Sequence, residues 1–292
     1  MTSPFVRRRR LATELRTLRE QSGMTADDLA ARIYRSRMTV SKLENARCRP
    51  DLRDIVKIMK VLGVTGERFD ALFKIACDAA DRGWWDSYGD AMGPRQRMYA
   101  DLESGAATIR EYNQFTIPGT LQSPEFIRLM IELAQREGAV DFIPERLLEA
   151  RLRRQEHALG PEGPRYEAII DEVVIRRPTA SPQVMLGQIR SLIDTATRHP
   201  RATVLILPVN ADFTGRLLPK SAFSLYTFPD PADPPMAVVD TVSTDIVHTE
   251  HGELMRYNQR YEHLRQAALS GAATIGLLTD EADRLETMIG SS

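Results

Sequence analysis

The 292-residue sequence predicts a multidomain chain: an all-α part of five short helices, followed by an α+β part with a small mixed sheet. Apolar residues recur at helical spacing up to about residue 80, which predicts the helices. From residue 165 onward, short stretches rich in Val, Ile, Leu and aromatic residues alternate with turn residues, which predicts strands. A break of Gly, Trp and Pro separates the two patterns. We therefore expect domains at 1–81 and 95–292, joined by a linker at 82–94.

The first helix is predicted over 11–21, because Leu11, Leu15 and Leu18 share one face and Gly23 follows. Four arginines at 7–10 precede it, and they fit either a solvated arm or an arm that lies on nucleic acid. Further helices are predicted over 51–62, where Asp51 is the cap, and over 65–80.

Two short helices joined by a tight connection are predicted within residues 25–50, TADDLAARIYRSRMTVSKLENARCRP. Thr25 is a predicted N-cap with Asp28 as its capping-box partner, and Ser36 is the predicted N-cap of the second helix. Val40 and Leu43 form the buried pair of that second helix. The residues that this pattern turns outward are Arg37, Met38, Thr39, Ser41 and Lys42.

These outward residues have the chemistry that base reading in the major groove requires. Arg and Lys donate to guanine, Ser and Thr adapt to several base edges, and methyl groups contact thymine. The second helix of a helix-turn-helix enters the groove, so we predict that all five outward residues read bases. The residues predicted to bind DNA phosphates are Thr25, Ser36, Asn45, Arg47 and Arg49. The alternative is an ordinary helical hairpin with a solvated basic face.

The charge distribution agrees with a nucleic-acid partner for the first part only. Residues 1–68 contain 16 Lys/Arg and 8 Asp/Glu, a net charge of +8, whereas the remainder has a net charge of −9. A positively charged N-terminal part followed by a negatively charged remainder is expected when only one domain contacts DNA phosphates. No apolar run is long enough to span a bilayer, so we expect a cytoplasmic, nucleoid-associated protein. The two cysteines, Cys48 and Cys77, are expected to be reduced bystanders.

The N-terminal quarter resembles the Xre/phage-repressor type of helix-turn-helix family. The resemblance is carried by LRTLREQSGMT (15–25), DDLAARI (27–33), TVSKLENARCRP (39–50) and DLRDIVKIMKVLGV (51–64). Two positions depart from the family pattern. Ala26 stands where Gln is usual, which implies a lost DNA contact. Tyr34 stands where the turn usually has Gly, which implies strain in the turn or a shift of it by one residue.

The second part is predicted to begin with a helix over 95–108, a strand from 109, and a helix capped by Ser123. The charged helix over 142–159 is expected to leave its ARLRRQ segment on the surface, as a solvated face or a second nucleic-acid patch. Later strands are predicted at 166–177, 202–209, 222–228, 236–242 and 244–250. Later helices are predicted at 182–198, 253–269 and 279–289.

Catalytic and metal chemistry are weakly represented. His248, Glu250, His251 and Glu253 crowd one stretch, but alternate strand positions would direct the two histidines to opposite faces, so no metal site is expected. The pairs at 171–172 and 240/245 are possible carboxylate dyads, although caps and salt bridges are the commoner roles. Phosphate-loop, nucleophile-elbow and HExxH patterns are absent from the sequence. We expect neither an enzyme nor a cofactor.

Residues 84–270 contain PGTLQ (118–122), the RLRRQ segment (151–155) and the later order IIDEVVIRRP, MLGQIRSLI, VLILP and FSLYTF. Through these segments this part of the chain resembles the C-terminal domain of unknown function in actinobacterial regulators described as WhiJ-like or antitoxin-like. This resemblance implies a transcriptional regulator with a small protein partner encoded nearby. Together these features predict a homodimeric regulator on a palindromic double-stranded operator, controlled by a partner or ligand. The alternative is an antitoxin-like protein that sequesters a partner and binds DNA for autoregulation.

Overall fold

The computed structural model describes residues 2–242 and 244–291. The chain forms two compact units, one of residues 1–87 with 229–234, the other of residues 88–228 with 235–292. Each unit has its own architecture, and the two are described in turn. No helix in the described part of the chain is long and apolar enough to cross a membrane.

The N-terminal unit is helical, as predicted. In its described residues the helices are α1 (Pro4–Gln21), α2 (Ala26–Arg32), α3 (Arg37–Glu44), α4 (Leu52–Val61) and α5 (Gly66–Ala80). Their apolar faces share one core in which Leu15, Leu29, Val40, Ile55 and Met59 are almost fully buried. This core fixes the relative positions of α2 and α3.

Helix α1 begins earlier than predicted. Ser3 Oγ accepts a hydrogen bond from Val6 N at 3.2 Å, and Pro4 occupies the first turn, so the helix begins seven positions before the predicted start at Leu11. The arginines at 7–10 are therefore helical, and the expectation of an arm that precedes the helix is wrong. The signal was present in the sequence as Ser-Pro, a cap followed by a first-turn proline.

The segment 229–234 belongs to the N-terminal unit, although it lies far along the chain. Asp230 accepts from Arg10 at 2.7 Å and lies 3.1 Å from Arg7, while Asp233, which is buried, lies 3.2 and 3.4 Å from the same two guanidinium groups. A hydrogen bond from Ala232 N, together with Arg10, lowers the pKa of Asp230 to about 2. Part of the positive charge on α1 is thus balanced within the unit.

The C-terminal unit contains a mixed sheet, which confirms the predicted α+β class. The described strands are β1 (Thr108–Asn113), β2 (Arg165–Asp171), β3 (Ala202–Leu207), β4 (Phe223–Thr227), β5 (Met236–Val239) and β6 (Ile246–His248). Their order in the sheet is β3-β2-β1-β4-β5-β6. The pairings of β1 with β2 and of β2 with β3 are parallel, and the others are antiparallel. Helical crossovers precede the parallel partners.

The helices of this unit follow the predicted order with two differences. Their bounds are α6 (Gly93–Gly105), α7 (Pro124–Glu137), α8 (Pro144–Leu159), α9 (Glu172–Arg176), α10 (Pro182–Arg198), α11 (His251–Ala267) and α12 (Gly271–Gly290). The predicted strand 166–177 is wrong beyond Asp171, because the Asp171 side chain accepts from Val173 N and caps α9. Helix α12 begins at Gly271 rather than at 279, since Ser270 caps it.

The stretch predicted as a linker contains two short 3-10 turns over Trp84–Met92, joined at Gly89 with a φ of 52°. The tryptophan rings of this stretch meet edge to face with centroids 5.9 Å apart, and Trp85 is buried. Burial favours packing over a ligand clamp for Trp85.

Candidate nucleic-acid interface

The two predicted caps are confirmed, and they set the ends of α2 and α3. Thr25 Oγ1 accepts from Asp28 N at 3.1 Å while Asp28 Oδ2 accepts from Thr25 N at 3.0 Å, which completes the capping box. Ser36 Oγ accepts from Thr39 N at 3.3 Å at the start of α3. Both hydroxyl groups are therefore engaged with their own helix, and any phosphate contact would be additional to this capping role.

The turn between α2 and α3 keeps its left-handed residue despite the lack of glycine. Tyr34 has a φ of 56°, and the hydrogen bond from Arg35 N to Ala30 O at 2.9 Å closes the end of α2. The turn has therefore not shifted by one residue, and Tyr34 itself adopts the conformation that glycine favours. Its ring is 88% exposed, so the side chain contributes little packing.

Substitution of Tyr34 by glycine is expected to stabilise the N-terminal unit by about 1 kcal/mol, because glycine adopts positive φ without the Cβ clash. Urea denaturation followed by tryptophan fluorescence measures this, since both tryptophans lie in this unit. Tyr34→Ala is the control: it removes the ring but keeps the strained Cβ, and should give no gain. Equal stabilities of the glycine and alanine variants would contradict strain at this turn.

Helix α3 presents the face that the sequence predicts. Val40 and Leu43 are buried against the core, at 1% and 7% exposure. On the opposite side the structure brings together the predicted base-reading residues, of which only Thr39 is half-buried: Arg37, Met38, Thr39, Ser41 and Lys42. Arg37 Nε lies 3.5 Å from Asp27, but both side chains are largely exposed, so this pair is weak and easily exchanged.

An internal salt bridge holds α3 against α1. Arg19 donates to Glu44 through two parallel contacts of 2.6 and 2.9 Å, and the Glu44 side chain is 7% exposed. These hydrogen bonds raise the pKa of Arg19. Arg16 adds a bond of 2.6 Å to Glu44 O and one of 2.9 Å to Asn45 Oδ1. The orientation of the exposed face is therefore fixed by ion pairing as well as by apolar packing.

A second pair fixes the turn. Arg35 Nε lies 3.0 and 2.9 Å from the two carboxylate oxygens of Asp54, whose side chain is buried in α4. Sequence reasoning counted Arg19 and Arg35 only as positive charge. Their partners lie 25 and 19 positions away, so local spacing gave no signal for either pair.

The predicted phosphate-binding residues beyond α3 differ in their surroundings. Asn45 ends the helix, donates to Ser41 O at 2.7 Å and accepts from Arg16. Arg47 is exposed, and its backbone N–H donates to Lys42 O at 2.8 Å. Arg49 forms an ion pair of 2.9 Å with Asp86, so a phosphate would compete with that carboxylate. Among the described residues, Arg47 is the one of these three whose side chain has no hydrogen-bond or ion-pair partner.

The carboxylate pairs of the C-terminal unit have structural partners. Glu172 accepts from Arg176 at 2.5 Å and from Val209 N at 2.9 Å. Asp240 accepts from Tyr99 at 2.7 Å, and Asp245 pairs with Arg95 at 2.8 Å. Within the described ranges, no group of three or more His, Cys, Asp or Glu side chains has the spacing of a metal site. His248 ends β6, whereas His251 begins α11.

The arginines of the RLRRQ segment are not the surface face that the sequence predicts. Arg154 is 6% exposed and pairs with Glu103 at 2.9 Å. Arg151 donates to Gln122 Oε1 at 2.8 Å. Only Arg153 of this group is exposed. The expectation is wrong because helical periodicity places 151 and 154 on one inward side, while the pattern of alternating charge suggested solvent.

Comparison with known families gives two separate matches along the chain. A family model described as a helix-turn-helix domain matches residues 10–72, which cover α2, α3 and α4. A model described as a domain of unknown function (DUF5753) matches residues 96–280, more than half of the chain. No curated protein and no solved structure matches significantly. The helix-turn-helix indicates a DNA-binding regulator rather than an enzyme, and the chain belongs to the DUF5753 family.

Proposed function

We propose that this protein is a sequence-specific transcriptional regulator that reads the major groove with α3 and receives a regulatory signal through its C-terminal domain. The observation that carries this proposal is the exposed face of α3, whose capped start and ion-paired end hold Arg37 and its neighbours outward. The net positive charge of residues 1–68 supports contact with phosphates.

A two-fold dimer is the state that fits this mode of binding. Recognition helices of paired domains contact half-sites about one DNA turn apart, so the operator would be palindromic. Joining two weakly binding helix-turn-helix domains in one dimer also raises the effective affinity for DNA steeply. The regulatory input would be a small ligand or a small protein partner, as the resemblance to WhiJ-like and antitoxin-like regulators suggests. A tight partner complex that forms without DNA would favour the antitoxin-like alternative.

Genome-wide binding by the full chain would test the proposal directly. A few palindromic sites are expected, and the absence of any specific site would contradict sequence-specific regulation. Occupancy that changes when the neighbouring small protein is present would identify the partner as the regulatory input. Occupancy that ignores it would leave a small ligand as the input.

Arg37→Ala is expected to cost roughly 1–3 kcal/mol on the specific site and to relax sequence preference, because a guanidinium that donates to guanine is lost. Arg47→Ala is the comparison variant, and should weaken all sequences alike while reducing the salt slope by about one. Titrations of specific and random DNA at several salt concentrations separate the two effects. Equal losses on both DNAs for Arg37→Ala would contradict a base-reading role.

A further inference from the structure

A polar cavity of about 220 Å³ lies within the C-terminal unit, between α6, α8 and the sheet. Its walls carry charged and phenolic side chains, chiefly Tyr99, Glu103, Glu111, Arg151, Arg154 and Tyr226. Burying so many ionisable groups around one space is costly unless they have a binding partner.

The two segments that carry the family resemblance meet at this cavity. Gln155 of the RLRRQ segment donates to Gly119 O at 2.9 Å and to Gln122 O at 2.8 Å in the PGTLQ segment. A Cβ at Gly119 would lie 2.9 Å from Arg154 Nη2, so glycine allows the guanidinium to approach the backbone. Both segments therefore hold the arginines of the cavity in place.

Arg151 and Arg154 differ in whether a carboxylate balances their positive charge. Arg154 is paired with Glu103 and also donates to Gln96. Arg151 donates to the neutral amide of Gln122, and among the described residues its guanidinium has no carboxylate partner. Its buried Nε also has no hydrogen-bond partner in the described part of the chain. Burial, with the neighbouring charge of Arg154, lowers the pKa of Arg151 to about 10.

The opposite side of the cavity supplies acidic and hydroxyl groups. Burial raises the pKa of Glu103 to about 7, and burial with the nearby Glu103 and Asp240 raises the pKa of Glu111 to about 8. Glu111 also receives hydrogen bonds from Tyr166 and, at 3.3 Å, from Ser224. These carboxyl groups can therefore either donate or accept a hydrogen bond near neutral pH.

The volume limits what can bind. A volume of about 220 Å³ is below the usual range for drug-sized ligands. A nucleotide would not fit, whereas a short-chain metabolite with a few polar groups would.

We propose that this cavity binds a small anionic metabolite, with a carboxylate or phosphate group on Arg151 and hydroxyl or amine groups facing Glu103 and Glu111. A bound anion would supply the negatively charged partner that the Arg151 guanidinium lacks. The guanidinium would bind it through charge-assisted hydrogen bonds of defined geometry. The inference rests on the proposed function only in making this metabolite the regulatory input, since binding itself does not depend on DNA.

Thermal unfolding of the full chain, with glycerate and glycerol phosphate as probes, tests the proposal. The probes share their hydroxyl groups and differ in the anion, while glycerol serves as the neutral control. The anion that fits should raise Tm by about 5 °C at one hundred times its Kd, and glycerol should not. A response to one probe alone assigns the ligand class as carboxylate or phosphate. No response to either probe would overturn the proposal.

Arg151→Gln provides the decisive variant, with Arg153→Gln, an exposed position on the same helix, as its matched control. Loss of Arg151 should weaken probe binding by roughly 10- to 100-fold without lowering Tm of the free protein, because it removes a partly buried charge that has no carboxylate partner among the described residues. Arg151→Lys should retain part of the affinity. A lower Tm with unchanged probe affinity would show a purely structural arginine. Operator binding, measured separately, distinguishes failure of this site from failure of the regulator proposal.

Discussion

Replacing Glu44 with alanine is expected to destabilise the N-terminal unit by about 3 kcal/mol. The substitution removes the partner of Arg19 and leaves the guanidinium half-buried beside the end of α3. Breaking a buried pair costs much more than losing an exposed one, because the remaining charge is poorly hydrated and has lost its main partner. The urea midpoint of the tryptophan fluorescence transition should fall accordingly.

The matched control for this result is Glu20→Ala. Glu20 lies 3.5 Å from the same Arg19, but its side chain is 62% exposed, so we expect a change below about 1 kcal/mol. Glu44→Gln retains hydrogen bonding but removes the negative charge. Its urea midpoint should lie between those of Glu44→Ala and Glu20→Ala. Similar midpoints for Glu44→Ala and Glu20→Ala would contradict a stabilising role for the buried pair, and α3 would then be held by apolar contacts alone.

The second large effect concerns Glu111 and pH. Its folded pKa of about 8 lies well above the value of roughly 4.3 for an unfolded chain, so the folded state binds the proton more tightly. The associated stability is present below about pH 4.3 and is lost as pH rises through the folded pKa. The full loss corresponding to this shift is about 5 kcal/mol in the C-terminal unit.

Glu111→Gln, which resembles the protonated side chain, should match the native protein near pH 4 and exceed its stability increasingly up to about pH 8. Calorimetric unfolding of the full chain across this range measures the difference. Glu103 also has a raised pKa and acts in the same direction, so the variant should reduce the pH dependence without abolishing it. Glu125→Gln, on an exposed position of α7, should leave the profile unchanged. If stability changed with pH in the same way for Glu111→Gln and the native protein, the raised pKa of Glu111 would be contradicted.

The N-terminal helices were predictable because their signals are local. Thr25 with Asp28, and Ser36 before a periodic apolar pair, are complete within a few residues, and the structure has the same caps. The start of α1 was not predicted because the apolar spacing begins only at Leu11, whereas the cap Ser3 and Pro4 lie before the four arginines. In the C-terminal unit, α10 was predicted to the residue, whereas the end of β2 depended on a capping hydrogen bond that a continuous apolar run conceals.

The spacing of the arginines in the sequence could not predict which of them form ion pairs and which stay exposed. Arg19, Arg35 and Arg154 find carboxylates that are far away in sequence, whereas Arg37 and Arg47 remain exposed. Only the tertiary fold decides which cations are neutralised and which can meet a ligand. The cavity could not be predicted for the same reason. The PGTLQ and RLRRQ segments were recognisable in the sequence, but the contact between them was not.

The segment 229–234 means that the DNA-binding unit is assembled from two distant stretches of one gene product. A fragment that ends at residue 87 would carry Arg7 and Arg10 without Asp230 and Asp233, and so would have a more positive surface than the same helices in the intact chain. Excess positive charge strengthens binding to any DNA sequence and steepens its dependence on salt. We therefore expect these helices to discriminate less between DNA sequences when they are separated from residues 229–234.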